Sequence, residues 1–79
     1  MSKHVLLIED ELNIVEASRF LLSREGWQVD THNNGTDAAQ VTRDLNPDLV
    51  VLDVMLPGKS GFDILEELRA HEKTADLPV

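Results

Sequence analysis

Two short apolar runs, each followed at once by acidic residues, restrict what this chain can fold into. The first, residues 5–8, belongs to a strand predicted over residues 4–8 and precedes the acidic residues 9–11. The second, residues 49–52, precedes Asp53. Apolar, β-branched runs of this length without alternation are typical of strands buried on both faces, which occur mainly in parallel sheets covered by helices. The two runs therefore predict an α/β fold.

The remaining segments show helical or alternating patterns. A first helix is predicted over residues 12–24, ending at Gly26 as a left-handed cap. Residues 27–32 alternate, which predicts a strand at a sheet edge. Further helices are predicted over about residues 36–45 and 62–71, and the last three residues resemble the start of another strand. The side chains expected to line helix faces are Ile14, Ala17 and Leu21 beside Val15, Ser18 and Leu22, then Ala38, Ala39, Val41 and Leu45, then Ile64, Leu65 and Leu68.

Strands that alternate with helices form right-handed βαβ units around a parallel sheet, so we expect one doubly wound domain. At 79 residues the chain buries little surface, and its stability margin should be thin. It has no cysteine, and a net charge of -8 with seven Lys and Arg argues against a nucleic-acid groove. The first apolar run is too short for a signal-peptide core or a membrane span. We therefore expect a soluble, cytoplasmic protein.

Three carboxylates should meet at one edge of the sheet. Glu9 and Asp10 follow the first strand and Asp53 follows the third, and parallel strands end at the same edge. Crowded carboxylates favour a hard cation, and Mg²⁺ prefers oxygen ligands, to which the backbone carbonyl of Met55 could be added. Alternatively, these acids simply end strands, and Asp10 caps the first helix. We consider the metal site the better interpretation because an acidic pair follows one buried strand, a single aspartate follows the other, and a glycine-rich loop lies beyond.

These residues resemble a known family. The runs VLLIEDE at residues 5–11 and PDLVVLDVMLPGKSG at residues 47–61, followed by Phe62, closely resemble the receiver domains of bacterial two-component response regulators. The resemblance covers the whole chain. It implies a flavodoxin-like, CheY-like fold, here reduced to three βα units with strand order 2-1-3.

The resemblance also implies roles for individual residues. Asp53 would accept a phosphoryl group from a sensor histidine kinase or phosphotransfer protein. Asp10 and Asp53 would bind Mg²⁺ through their side chains, Glu9 directly or through water, and Met55 through its carbonyl. Such a domain is regulatory rather than an enzyme. In the same loop, the resemblance implies that Pro57 and Gly58 shape the turn beside the acceptor.

The chain departs from the family where the fourth and fifth strands and their helices would follow. The family's hydroxyl residue at the end of strand four and its lysine at the end of strand five therefore have no counterpart, and neither Lys59 nor Lys73 replaces them. The third strand should then have an unprotected edge, which invites pairing with another chain. We therefore expect residues 1–79, as a partial receiver domain, to self-associate.

Two other interpretations stay open. The chain could be a truncated or engineered half-domain that folds by self-association and transfers no phosphoryl group. It could also be a phosphohydrolase of the haloacid-dehalogenase kind, but that family has a second Asp two residues after the nucleophile, where this chain has Met55. We expect Lys59 at the surface, the three histidines at the surface or at strand flanks, and Trp27 and Phe62 in core or edge packing.

Overall fold

A computed structural model describes residues 3–79. The elements are β1 (Lys3–Ile8), α1 (Leu12–Arg24), β2 (Trp27–His32), α2 (Ala38–Leu45), β3 (Leu49–Leu52) and α3 (Gly61–Ala70). All three strands and three helices predicted from the sequence are present, and boundaries differ by at most two residues. Most shifts are of the size by which helix ends normally fray.

The three strands form one parallel sheet in the order β2-β1-β3. Its register aligns Ile8 with His32 on one side and with Leu52 on the other. β1 is therefore the central strand, which explains why residues 5–8 are buried without alternation. The predicted order 2-1-3 and the edge position of β2 are confirmed.

The core lies on the sheet face that α2 and α3 cover. Its buried members are Leu6, Ile8, Ala38, Ala39, Val50, Ile64 and Leu68, with Val41, Leu52, Leu56 and Leu77 packed around them. Leu45 is more exposed than predicted because α2 ends there, and Thr42 takes the inward position instead. The hydroxyl of Thr42 donates to the Ala38 carbonyl at 2.8 Å, which lets this polar residue be buried.

The opposite sheet face is covered only in part. α1 packs mainly against β2, where Arg19 donates a hydrogen bond from Nη2 to the Thr31 hydroxyl at 3.2 Å. No residue of α1 is fully buried. Of its two apolar rows, Val15, Ser18 and Leu22 are half-buried, whereas Ile14 and Leu21 are 49% and 58% exposed. Only one of the two apolar rows predicted for this helix packs inward, because on this face α1 lies mainly over β2.

Helix ends follow local chemistry. The Glu11 carboxylate accepts the Ile14 N–H at 3.0 Å and caps α1, and Gly26, at φ 91°, ends it as predicted. Ser60 caps α3 by accepting the Asp63 N–H at 3.2 Å. Asn46, at φ 48°, ends α2 in the left-handed conformation. These caps fix where each helix leaves the sheet.

The segment after α3 returns to the sheet. Arg69 donates from Nη1 to the carbonyl oxygens of Thr74, Ala75 and Leu77 at 3.3, 3.1 and 2.7 Å. The Pro78 carbonyl in turn accepts the Val50 N–H at 2.9 Å. The predicted bare edge of β3 is therefore wrong at Val50, where the last residues begin to pair as a fourth strand would. Val51 stays 41% exposed on the sheet face.

Across residues 3–79, no helix is both long and apolar enough to cross a lipid bilayer.

Candidate functional site

The three predicted carboxylates meet at the carboxyl edge of the sheet. Because Ile8 is aligned with Leu52, the residues that follow them, Glu9 and Asp53, leave the sheet side by side. Two backbone hydrogen bonds hold this edge: Asp53 N–H to the Ile8 carbonyl at 3.0 Å, and Glu9 N–H to the His32 carbonyl at 2.9 Å. The position of the cluster thus follows from the strand register.

The cluster can supply three oxygen ligands to one ion. One carboxylate oxygen from each of Glu9, Asp10 and Asp53 lies within 4.8 Å of the others. None of the ion pairs among residues 3–79 involves these three side chains. Their negative charges are therefore not compensated by a neighbouring cation. Closely spaced hard oxygens without a partner fit a small divalent ion such as Mg²⁺.

Glu9 is the buried member of the cluster, with only 8% of its surface exposed. Burial raises the pKa of its carboxyl, and a hydrogen bond and charge repulsion from Asp53 raise that pKa further. Backbone N–H groups of Asp10 and Glu11 oppose this by stabilising the carboxylate; the Asp10 N–H lies 3.0 Å from Glu9 Oε2. The net effect of these surroundings is a pKa for Glu9 above its ordinary value.

Asp10 does not cap α1, since Glu11 does. Asp10 is exposed, at the mouth of a shallow cleft bounded by Leu12, Thr31 and His32. The alternative in which Asp10 merely ends a strand and starts a helix is weakened by this division of roles. Its carboxylate remains directed to the cluster.

The loop after Asp53 is held at several points. Asp53 Oδ1 accepts the Met55 N–H at 3.2 Å, and the Gly61 N–H donates to the Val54 carbonyl at 2.8 Å. The Pro57 carbonyl accepts the Gly35 N–H at 2.9 Å, so the connections β2–α2 and β3–α3 are joined. These bonds order the backbone around the predicted acceptor.

This arrangement was compared with known proteins. A family model described as the response regulator receiver domain matches residues 5–79. The chain belongs to this family. Its sequence is thus receiver-domain sequence of a two-component response regulator, as its two sequence runs indicated, and the chain is called the receiver below.

Curated relatives agree with this assignment. The receiver is 43% identical over 75 residues to the transcriptional regulatory protein AfsQ1 of Streptomyces coelicolor, covering 95% of this chain and 32% of that protein. It is 39% identical over 70 residues to the DNA-binding response regulator MtrA of Mycobacterium tuberculosis, covering 89% of this chain and 31% of MtrA. The chain therefore spans about a third of the length of these relatives.

Solved structures show the same fold. The receiver domain of HemR from Leptospira biflexa superposes with a TM-score of 0.84 at 34% identity, over 98% of this chain and 60% of that one. The receiver domain of the sensor histidine kinase PA1611 from Pseudomonas aeruginosa superposes with a TM-score of 0.92 at 24% identity, over 99% and 64%. That second structure has a magnesium ion in its active-site cleft.

Three residues around the receiver's site differ from their predicted roles. Lys59 is not a free surface residue, because its Nζ pairs with the Glu67 carboxylate on α3. Phe62 is 68% exposed rather than packed, because at about 100° per residue it lies roughly 120–160° around α3 from the buried Leu68 and Ile64. No role at the site was predicted for Gly35, although its N–H donates to the Pro57 carbonyl in the acceptor loop, residues 54–60. The sequence feature that could have indicated this contact is a glycine in a connection at the carboxyl edge of the sheet.

Proposed function

We propose that the receiver is a cytoplasmic domain that accepts a phosphoryl group on Asp53 from the phosphohistidine of a sensor histidine kinase or phosphotransfer protein. The observation that carries this proposal is the position of Asp53, which directly follows β3 and joins two other carboxylates within 4.8 Å. Its side chain is half-buried, so it is held in place yet reachable. The step is one in which a regulatory domain is modified, not the turnover of an enzyme.

The proposed transfer forms one bond and breaks another. A carboxylate oxygen of Asp53 bonds to phosphorus, and the bond between phosphorus and the imidazole nitrogen of the donor breaks. The electron pair of that bond remains on the imidazole, which takes up a proton. The Met55 N–H, 3.2 Å from Oδ1 of Asp53, orients the carboxylate for the attack.

Glu9, Asp10 and Asp53, with the backbone carbonyl of Met55, would hold a magnesium ion. When bound, Mg²⁺ neutralises charge on the phosphoryl oxygens so that an anionic carboxylate can approach an anionic donor. The uncompensated charges of the cluster and the raised pKa of Glu9 support this set of ligands. The magnesium ion in the PA1611 receiver supports the choice of metal.

We also infer that residues 1–79 are the amino-terminal part of a receiver domain, without its fourth and fifth strands and their helices. The chain covers 60% and 64% of the two solved receivers, and the Val50–Pro78 hydrogen bond begins a fourth pairing. DNA binding, which MtrA's name states for that protein, is assigned to a segment other than this acidic one.

Acetyl phosphate, a small phosphoryl donor, tests the proposal without the kinase. The chain is incubated with and without MgCl₂, and intact mass is compared with that of Asp53→Asn and of a matched control, Asp76→Asn. Asp76 is exposed in the turn after α3. We expect one added phosphoryl mass that requires Mg²⁺ and Asp53 and is unaffected by the Asp76 change. Modification of Asp53→Asn to the same extent would contradict the proposal.

One observation favours a second candidate, a half-domain that folds by self-association and transfers no phosphoryl group. Ile14 and Leu21 on α1 and Val51 on β3 are exposed at the same partly covered sheet face. A second copy of the chain could bury these side chains.

Sedimentation distinguishes the two candidates. A dimer that dissociates when Leu21 is changed to Glu, together with no phosphorylation of folded chain, would favour the half-domain. A compact, cooperatively unfolding monomer that is phosphorylated on Asp53 would rule it out.

A further inference from the structure

We propose that Gly35, in the connection between β2 and α2, is a positioning residue for the cation site that Glu9, Asp10 and Asp53 form. This inference rests on the proposed function, because it concerns the same site. Gly35 contacts none of the three carboxylates. It acts through the loop that contains Met55, whose carbonyl is the proposed fourth ligand.

The two connections touch backbone to backbone at Gly35. This glycine is buried, and its N–H donates to the Pro57 carbonyl at 2.9 Å. A Cβ at this position would press against the Lys59 carbonyl oxygen and lie 2.9 Å from the Lys59 nitrogen. Only a residue without a side chain allows this approach, because backbone atoms on both sides cannot move independently.

A second glycine makes the same contact from the other side. Gly58 has φ +90°, and a Cβ there would press against the Thr36 hydroxyl and lie 2.8 Å from Asn34 Oδ1. Asn34 Oδ1 also accepts the Thr36 N–H at 2.8 Å, which holds the turn that faces Gly58. The loop of residues 57–59 therefore fits against residues 34–36 in one arrangement.

The acceptor loop is fixed on its other side by α3. Lys59 is paired with Glu67, and the Gly61 N–H donates to the Val54 carbonyl at 2.8 Å. Residues 54–60 are thus held between α3 and the turn at Gly35. A side chain at position 35 would push residues 57–59 away. Residues 54–56, which include Met55, would then have to shift as well. Groups that orient ligands in this indirect way control metal affinity.

The test is a titration with MgCl₂ that is monitored through the NMR chemical shifts of the backbone amides of Glu9, Asp10 and Asp53. We expect Gly35→Ala to raise the Mg²⁺ dissociation constant by about tenfold, the lower end of what loss of an orienting group does. The control is Gly26→Ala, at the opposite edge of the sheet. Gly26 has φ +91° and open space around it, so alanine there strains the backbone without touching the acceptor loop.

The control separates positioning from stability, because Gly26→Ala should lower the unfolding temperature while leaving the Mg²⁺ dissociation constant unchanged. If Gly35→Ala does not fold, Asn34→Ala replaces it, because it removes the turn's hydrogen bond without adding atoms. We expect it to weaken Mg²⁺ binding by a smaller factor than that expected for Gly35→Ala. If the folded variant, Gly35→Ala or its replacement Asn34→Ala, has an unchanged Mg²⁺ dissociation constant, the positioning role is overturned and the proposed function is not affected. Absence of Mg²⁺ binding by the unaltered chain would overturn the proposed function and the positioning role with it.

Discussion

The Asp53 N–H donates to the Ile8 carbonyl at 3.0 Å and thereby holds Asp53 beside Glu9 at the end of the sheet. This bond continues the β1–β3 ladder by one residue beyond the last aligned pair. Strand register therefore brings the two carboxyls together, although 44 residues separate them in the sequence. Their proximity brings two like charges together in the folded chain, and the first prediction below follows from it.

The first prediction concerns Glu9 and pH in the absence of divalent ions. Burial and Asp53 raise the pKa of Glu9 in the folded chain above its ordinary value. Between the ordinary pKa and the raised pKa, the folded state binds more protons than the unfolded state. The contribution of Glu9 to stability therefore falls as the pH rises through this interval. We expect Glu9→Gln to stabilise the chain by about 1 kcal/mol at neutral pH and by less near about pH 4.5.

Urea unfolding of both chains at the two pH values measures this difference, and the contributions of titrating groups that do not interact with Glu9 cancel in the comparison. Addition of MgCl₂ at neutral pH should stabilise the unaltered chain more than Glu9→Gln, because the ion compensates the same charge. A stability difference that grows as pH is lowered would contradict the assigned direction of the pKa shift.

The second prediction tests which helix faces are packed. Leu68→Ala on α3 removes a fully buried side chain from the core and should cost about 3 kcal/mol. Leu21→Ala on α1 removes an exposed one and should change stability by less than about 0.5 kcal/mol. Urea unfolding at low concentration gives both values. Equal losses would mean that the outer face of α1 is buried, as in the self-associated half-domain.

These two leucines also show how far the sequence could predict the fold. Continuous apolar runs place the ends of β1 and β3, and these ends place Glu9 and Asp53, so the acidic cluster was predictable. Leu21 could not be distinguished from a core residue, because periodicity shows that a helix has an apolar face and not whether another element covers it. Lys59 and Gly35 were missed for a related reason. Their roles depend on contacts with Glu67 and Pro57, residues whose positions the local pattern does not specify.

The third prediction concerns Arg69, which joins the last residues to the body of the domain. Its guanidinium donates to three carbonyls between residues 74 and 77. Lysine retains the charge but not the planar donor group. We expect Arg69→Lys to lower the free energy of unfolding by about 1 kcal/mol. We also expect it to speed hydrogen exchange at the Val50 N–H, which donates to the Pro78 carbonyl.

Arg24→Lys is the matched control, because Arg24 is exposed at the end of α1, where its guanidinium lies 5.6 Å from the Phe20 ring. It should leave exchange at Val50 unchanged. Unaltered exchange in Arg69→Lys would show that the last residues reach β3 without the guanidinium.

The central claim is that Asp53 is the acceptor of a magnesium-dependent phosphoryl group, and beryllofluoride tests it most directly. This anion mimics a phosphoryl group on a carboxylate, and ¹⁹F NMR distinguishes its bound form from its free form. We predict a bound signal that needs MgCl₂, disappears in Asp53→Asn and persists in Asp76→Asn. A bound signal that persists in Asp53→Asn, or no bound signal from folded chain with MgCl₂, would contradict the claim.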